Sequence, residues 1–158
     1  MLAVPLGEWV VVCLLSGAVA AVLMNIPMAV QPDGYRPAYV AAGGLRGLDP
    51  SEVSDAAAVV VHHVTGTAAA LLYGAVVAVL AAVLPTAVSL NGIPAIPHLL
   101  GVVAVAAFIF YFFERIALPR AGESFQSDSE DIIQQWALSS FIYGTTLGLL
   151  LPVVVSQV

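Results

Sequence analysis

Apolar positions run along this chain in four long blocks, and charge is confined to the stretches between them. The first block is Trp9 to Met28, with no charged residue between Glu8 and Asp33. The second is Ala57 to Leu84, closed by Pro85. The third is His98 to Phe113, extended past Glu114-Arg115 by Ile116 to Leu118, and the fourth is Ile132 to Val155. About 20 apolar residues in helical form cross a hydrocarbon layer about 30 Å thick. The expectation is an all-α fold: an integral membrane four-helix bundle, with residues 1–158 as a single transmembrane domain. A cleaved leader would carry a basic residue ahead of its apolar core. None precedes Arg36, so the first block reads as a retained helix.

Helix starts are marked ahead of two blocks. Asp49-Pro50-Ser51-Glu52 offers an N-cap, a proline at the first helical position and an acid at the third. A helix from Pro50 to Leu84 would be about 35 residues, or about 52 Å, long. That exceeds the bilayer core, so this extension before the second span must protrude, tilt or bend, with Ser54–Ala58 as a surface turn. Ser127-Asp128-Ser129-Glu130 matches a capping box before the fourth block. Between the first two blocks, Tyr39–Leu48 is apolar enough to lie on a membrane surface but too short and glycine-rich to span it. Asn91-Gly92, with Pro94 and Pro97 beyond it, marks an ordered turn between blocks two and three.

Composition narrows the classes. Of 158 residues, 61% are hydrophobic and only 9% charged, too few to cover a soluble domain of this size. All four basic residues are arginines, and ten acids give a net charge of −6. A nucleic-acid footprint is therefore absent. Acidic, lysine-free, Ala/Val-rich composition resembles that of membrane proteins from salt-adapted organisms. The single cysteine, Cys13, excludes an intrachain disulfide. Arg36 and Arg46 lie between blocks one and two, and Arg115 and Arg120 between blocks three and four. The positive-inside rule then places both connections in the cytoplasm and both termini outside, in the cell membrane. Trp9 would mark the outer interface and Trp136 the inner one.

Helices packing in lipid need small residues at their contacts. Ser140, Gly144 and Gly148 recur at four-residue spacing, as do Gly66, Ala70, Gly74 and Ala78, and in block one either Ser16 and Ala20 or Gly17 and Ala21. These stripes serve packing within the chain, or an interface with a second copy or another membrane protein. Leu72-Tyr73-Gly74 matches Ile142-Tyr143-Gly144, with Ala70 against Ser140 and Ala78 against Gly148, as a two-plus-two helix duplication would give.

Polar residues within spans are the candidate chemistry. The topology brings Asn25, His62, His63, Thr65, Glu114 and Arg115, with Gln134 and Gln135, to one depth in the cytoplasmic leaflet. Each also has a packing or interfacial role available: Asn25 as helix glue, Glu114 and Arg115 as interface markers. His62 and His63 are about 100° apart on a helix, so at most one is expected to face the bundle. Tyr73 and Tyr143 are expected to pack, each with one hydrogen bond. His98 opens the third block at the outer face, about 30 Å from the other histidines, so no haem can be shared within one chain. No metal, cofactor or catalytic site is expected, because no zinc spacing, P-loop, dinucleotide fingerprint or nucleophile–base arrangement occurs. The expected function is a non-enzymatic subunit or accessory factor of a membrane assembly. The alternative is a small oligomeric channel or transporter using the cytoplasmic polar cluster.

Gly17-x-x-Ala20-x-x-x-Met24, His63-x-x-Gly66 with Leu72-Tyr73-Gly74, and Tyr143-Gly144-x-x-x-Gly148 together carry a resemblance. In these the chain resembles small four-span membrane proteins, the YagU-like family among them. That resemblance implies a helical membrane fold and assigns no catalytic residue.

Overall fold

A computed structural model describes residues 4–122, 125 and 129–157. The fold is all-α. Four helices are long and apolar enough to cross a membrane: α1 (Leu6–Val30), α3 (Asp55–Val83), α4 (Ala95–Phe112) and α5 (Ser129–Val155). A shorter helix, α2 (Arg36–Arg46), lies between α1 and α3. A π turn (Phe113–Ala117) and a 3-10 turn (Leu118–Arg120) prolong α4. Many outward side chains of the long helices are aliphatic or aromatic, as at Leu15, Val22, Val64, Val79, Val103, Phe108, Phe141 and Leu149.

Helix α1 packs against α3 and α5, and α4 packs against the same two. Small residues let the backbones approach. A methyl added at Gly74 would lie 2.8 Å from Cys13 Sγ, one at Gly17 would lie 2.5 Å from Ala70 Cβ, and one at Gly66 would lie 2.8 Å from Ala21 Cβ. Cys13, Gly17 and Ala21 on α1 therefore run antiparallel to Gly74, Ala70 and Gly66 on α3, each at four-residue spacing. In the other pair, Gly144 faces Ala106 and Gly148 faces Val102, both on α4. Of the two α1 stripes read from the sequence, Gly17–Ala21 is the one seated on α3. Ser140, the third member of the α5 stripe, is buried, and its hydroxyl finds no partner.

The same contacts carry hydrogen bonds across helices. Trp9 Nε1 donates to the Gly74 carbonyl at 3.2 Å, and Tyr143 donates to the Gly66 carbonyl at 2.6 Å. A glycine lacks the side chain that would shield its carbonyl, so a donor on a neighbouring helix reaches it. Trp9 is consequently inside the bundle at 3% exposure, its ring tilted beside Tyr73, rather than facing outward from it. Trp136 stacks on Phe113 and donates to the Ile109 carbonyl at 3.1 Å, just before the π turn.

The stretch before α3 also departs from the sequence reading. Asp49 caps a single 3-10 turn, Pro50–Glu52, in a complete capping box. Val53 and Ser54 are then extended, and Ser54 caps a new helix through the Ala57 amide. The long helix from Pro50 is thus broken just ahead of the expected Ser54–Ala58 turn, and residues 55–58 are helical. Tyr39–Leu48 becomes most of α2, which buries Ala38 and Ala42 with Met28, Val53 and Ala58. Ser127 and Asp128 of the second capping box lie outside the described residues.

At the other end, Ser89–Leu90 (β1) pairs antiparallel with Ile93–Pro94 (β2) across Asn91-Gly92. Both turn residues have positive φ, 47° and 89°, as the tight two-residue hairpin turn requires. Asn91 Nδ2 donates at 3.0 Å to the Pro152 carbonyl, fastening this hairpin to α5. The two arginine-bearing connections meet at the opposite end: Gln135 Nε2 donates to the Pro32 carbonyl at 2.7 Å, and Arg36 lies over the Phe125 ring.

Candidate functional site

Near the arginine-bearing end, α1 and α3 share a polar junction. His63 Nδ1 lies 2.8 Å from the Val59 carbonyl, which can only accept. In the neutral ring Nδ1 therefore carries the proton, and Nε2 accepts from Asn25 Nδ2 at 2.9 Å. The amide oxygen of Asn25 then accepts from the Tyr35 hydroxyl at 3.3 Å. His62 Nε2 is 3.1 Å from the Ala21 carbonyl, one helical turn from Asn25 on the same face of α1. Two adjacent histidines thus both bind α1, one on each side of the helix–helix seam, with their rings edge to face at 5.0 Å. His62 is buried and His63 only half-buried, so one of the two lies inside the bundle, as expected, while both hydrogen-bond to α1. The close approach at Gly66–Ala21 lets both reach.

Other members of the expected cluster do not join it. Thr65 returns its hydroxyl to the Val61 carbonyl of its own helix at 2.7 Å. Glu114 lies on the π turn, 3.3 Å from Arg115 Nε, and Arg115 is largely exposed. Among the described residues no hydrogen bond or ion pair links either to Asn25, His62 or His63. Glu114 Oε2, Gln31 Oε1 and Gln135 Oε1 are buried without a hydrogen-bond donor.

A second polar group lies deeper. Tyr73 Oη and His98 Nδ1 are 2.5 Å apart, and His98 Nε2 is 3.0 Å from the Gly148 carbonyl. Both side chains are fully buried. The group ties α3, α4 and α5 together. Its logic is local: residue 152 is proline and has no N–H to give the carbonyl four residues earlier. Gly148 is that residue, and His98 supplies the missing donor. Sequence reading left His98 at an outer face, although the Gly148–Pro152 spacing marked an unpaired carbonyl.

A concavity between α3 and α4 is apolar. Helices α3 and α4 touch closely near the hairpin, where a methyl on Gly101 would lie 2.5 Å from Val77. Toward the arginine-bearing end they part around a cleft of about 610 Å³. Its walls include Ala68, Ala69 and Leu72 of α3 and Phe108, Ile109 and Phe112 of α4. Trp136 and Tyr143 of α5 lie at its back, and Gly44 and Leu45 of α2 with Arg120 at its mouth. Its size falls within the range of about 300–1,000 Å³ usual for small-molecule sites. His62 and Thr65 also line it, so two members of the expected polar cluster belong to the cleft wall. Nothing in the sequence pointed to this cleft, because it depends on where two helices diverge. No family model, curated protein or solved structure matches the chain.

Proposed function

We propose that this chain is a multi-pass protein of the cell membrane, with both termini outside, that holds the hydrophobic chain of a membrane lipid in the cleft between α3 and α4. It acts without catalysis, as an accessory factor that keeps a lipid at a fixed place in a larger membrane assembly. The cleft itself carries this reading. It is walled by apolar side chains, it reaches from the mouth at Arg120 to the bundle centre at Tyr143, and it lies on helices long and apolar enough to cross a bilayer. An apolar cavity opening sideways from such a helix bundle meets lipid chains before it meets water. The clustering of both arginine-bearing connections at one end supports the orientation.

A conduit needs a polar path along the bundle. Most of the larger buried polar side chains on which such a path would depend are spent on fixed bonds: Tyr73 on His98, His98 on Gly148, Tyr143 on Gly66 and Trp9 on Gly74. The packing therefore favours a holding role over a conducting one.

The test is native mass spectrometry of protein extracted in a gentle detergent. Wild type should retain lipid. Ala68→Trp, which places an indole in the cleft from an exposed position on α3, should lose it while remaining folded. Equal lipid retention by the two proteins would overturn the reading.

A further inference from the structure

We infer that the occupant of the cleft is an anionic phospholipid of the cytoplasmic leaflet, with its headgroup phosphate at Arg120. This rests on the reading of the cleft as a lipid site. Arg120 is the one charged side chain among the residues lining the cleft. The chain carries ten acids and only four arginines, so a lone cation at this mouth runs against its overall charge. The other basic groups are differently disposed. Arg36 pairs with Asp33, Arg115 pairs with Glu114, and Arg46 follows Leu45 on the α2 turn that overhangs the mouth. Arg120 has no carboxylate partner among the described residues, and its Nη1 donates only to the Ile116 carbonyl of its own segment. Four further guanidinium N–H positions remain for an oxygen-rich acceptor, a geometry suited to phosphate. Among the described residues, Asp49 lies beside Gly122, and its carboxylate is already engaged by the amide and hydroxyl of Ser51.

The two ends of the site then match the two ends of a lipid. Arg120 sits where the π and 3-10 turns leave the apolar part of α4, and the apolar walls begin about one helical turn away at Ile116 and continue a turn further at Phe112. A phosphate held at Arg120 would direct its acyl chain past Phe112 toward Trp136.

Trp136 provides the readout, because it lines the cleft. The full chain is reconstituted in phosphatidylcholine bilayers containing increasing fractions of lipid brominated on the acyl chain, either phosphatidylglycerol or phosphatidylcholine. The Trp136→Phe variant assigns the signal between Trp136 and Trp9. Brominated phosphatidylglycerol should quench Trp136 at about fivefold lower mole fraction than brominated phosphatidylcholine, the preference one basic residue confers at an anionic lipid surface. Arg120→Gln should abolish that preference, and Arg115→Gln should keep it. Equal quenching by both lipids, or a preference that survives Arg120→Gln, overturns the headgroup assignment and leaves the lipid cleft standing. No quenching by either lipid overturns both.

Discussion

His98 donates through Nε2 to the carbonyl of Gly148, 3.0 Å away, on a helix joined to its own only through a long connection. The bond exists because Pro152 withholds the amide that would otherwise take that carbonyl. A helix defect on α5 is thereby converted into a fastening between α4 and α5, and Tyr73 extends it to α3.

This arrangement predicts a specific non-additivity. His98→Phe strands the Gly148 carbonyl and should cost about 1–3 kcal/mol, the desolvation penalty of an orphaned buried polar group. Pro152→Ala returns a backbone donor to Gly148. In that background the cost of His98→Phe should fall clearly. Equal costs in the two backgrounds, measured by reversible unfolding in mixed micelles, would show that Pro152 does not create the acceptor.

Asn25 and His63 should be energetically coupled. Interhelical polar contacts in membrane proteins average about 0.6 kcal/mol and reach about 1.7 kcal/mol in double-mutant cycles. The cycle Asn25→Leu, His63→Phe should return a coupling in that range. Nitrogen chemical shifts of His63 should report a proton on Nδ1 in the neutral ring, as its bond to the Val59 carbonyl requires.

Glycine substitutions should divide by contact. Gly74→Ala drives a methyl against Cys13 and crowds the Trp9 indole, 3.2 Å from it, so it should cost about 1–3 kcal/mol. Gly44→Ala on α2 meets nothing within 4 Å and should instead stabilise by about 0.5–1 kcal/mol through helix propensity. Thermal melts of the two variants decide this, and a destabilised Gly44→Ala would mean α2 is packed differently.

Tyr39 lies between the spans, where α2 meets the start of α3. Its hydrogen bond to the Asp55 carboxylate, 2.7 Å, raises the phenol above its ordinary 10.0, with burial and the negative charge of Asp55 adding to the effect. The folded state therefore keeps the proton more tightly than the unfolded one. The contribution to stability is complete below about pH 10 and is lost as pH rises through the raised value. Tyrosinate absorbance of wild type minus Tyr39→Phe should show a midpoint above 10, and Asp55→Ala should bring it back.

Single cysteines at Ser51, Ser89 and Ser156 test the orientation, with buried Cys13 left in place. Positions 89 and 156 should react with an impermeant thiol reagent on intact cells, and position 51 only after permeabilisation. The reverse pattern would invert the topology and place Arg120 in the outer leaflet.

The four long helices were legible because uncharged apolar runs of that length fold as helices and little else. Their observed ends fall within a few residues of those runs. The small-residue stripe Gly66–Ala70–Gly74 was legible too, but the sequence leaves open which of the two stripes on α1 meets it, and neither of those includes Cys13. What failed to show was partnership. Trp9 reads as an aromatic near one end of its span, and only the fold shows that Gly74 offers it a carbonyl. Pro152 reveals a free acceptor at Gly148, but only the meeting of three helices identifies His98 as its donor. The break at Val53–Ser54 depends on α2 packing over Met28 and Ala58, a contact between segments that local cap signals cannot register. The cleft is the extreme case, for it is defined by a separation between helices.

The hairpin turn at Asn91-Gly92 has a consequence for biosynthesis. With only a short connection between them, α3 and α4 can enter the bilayer as a preformed pair once residue 112 has left the ribosome. Asn91 must then wait for its acceptor, the carbonyl of Pro152, which is 61 residues further along. His98 waits almost as long for Gly148. Both latches close on α5, which is made after α3 and α4, so Asn91 Nδ2 and His98 Nε2 lack these acceptors until α5 arrives. Synthesis of α5 is thus the step that seals these contacts, and a chain truncated before Gly148 would be left with its latches open.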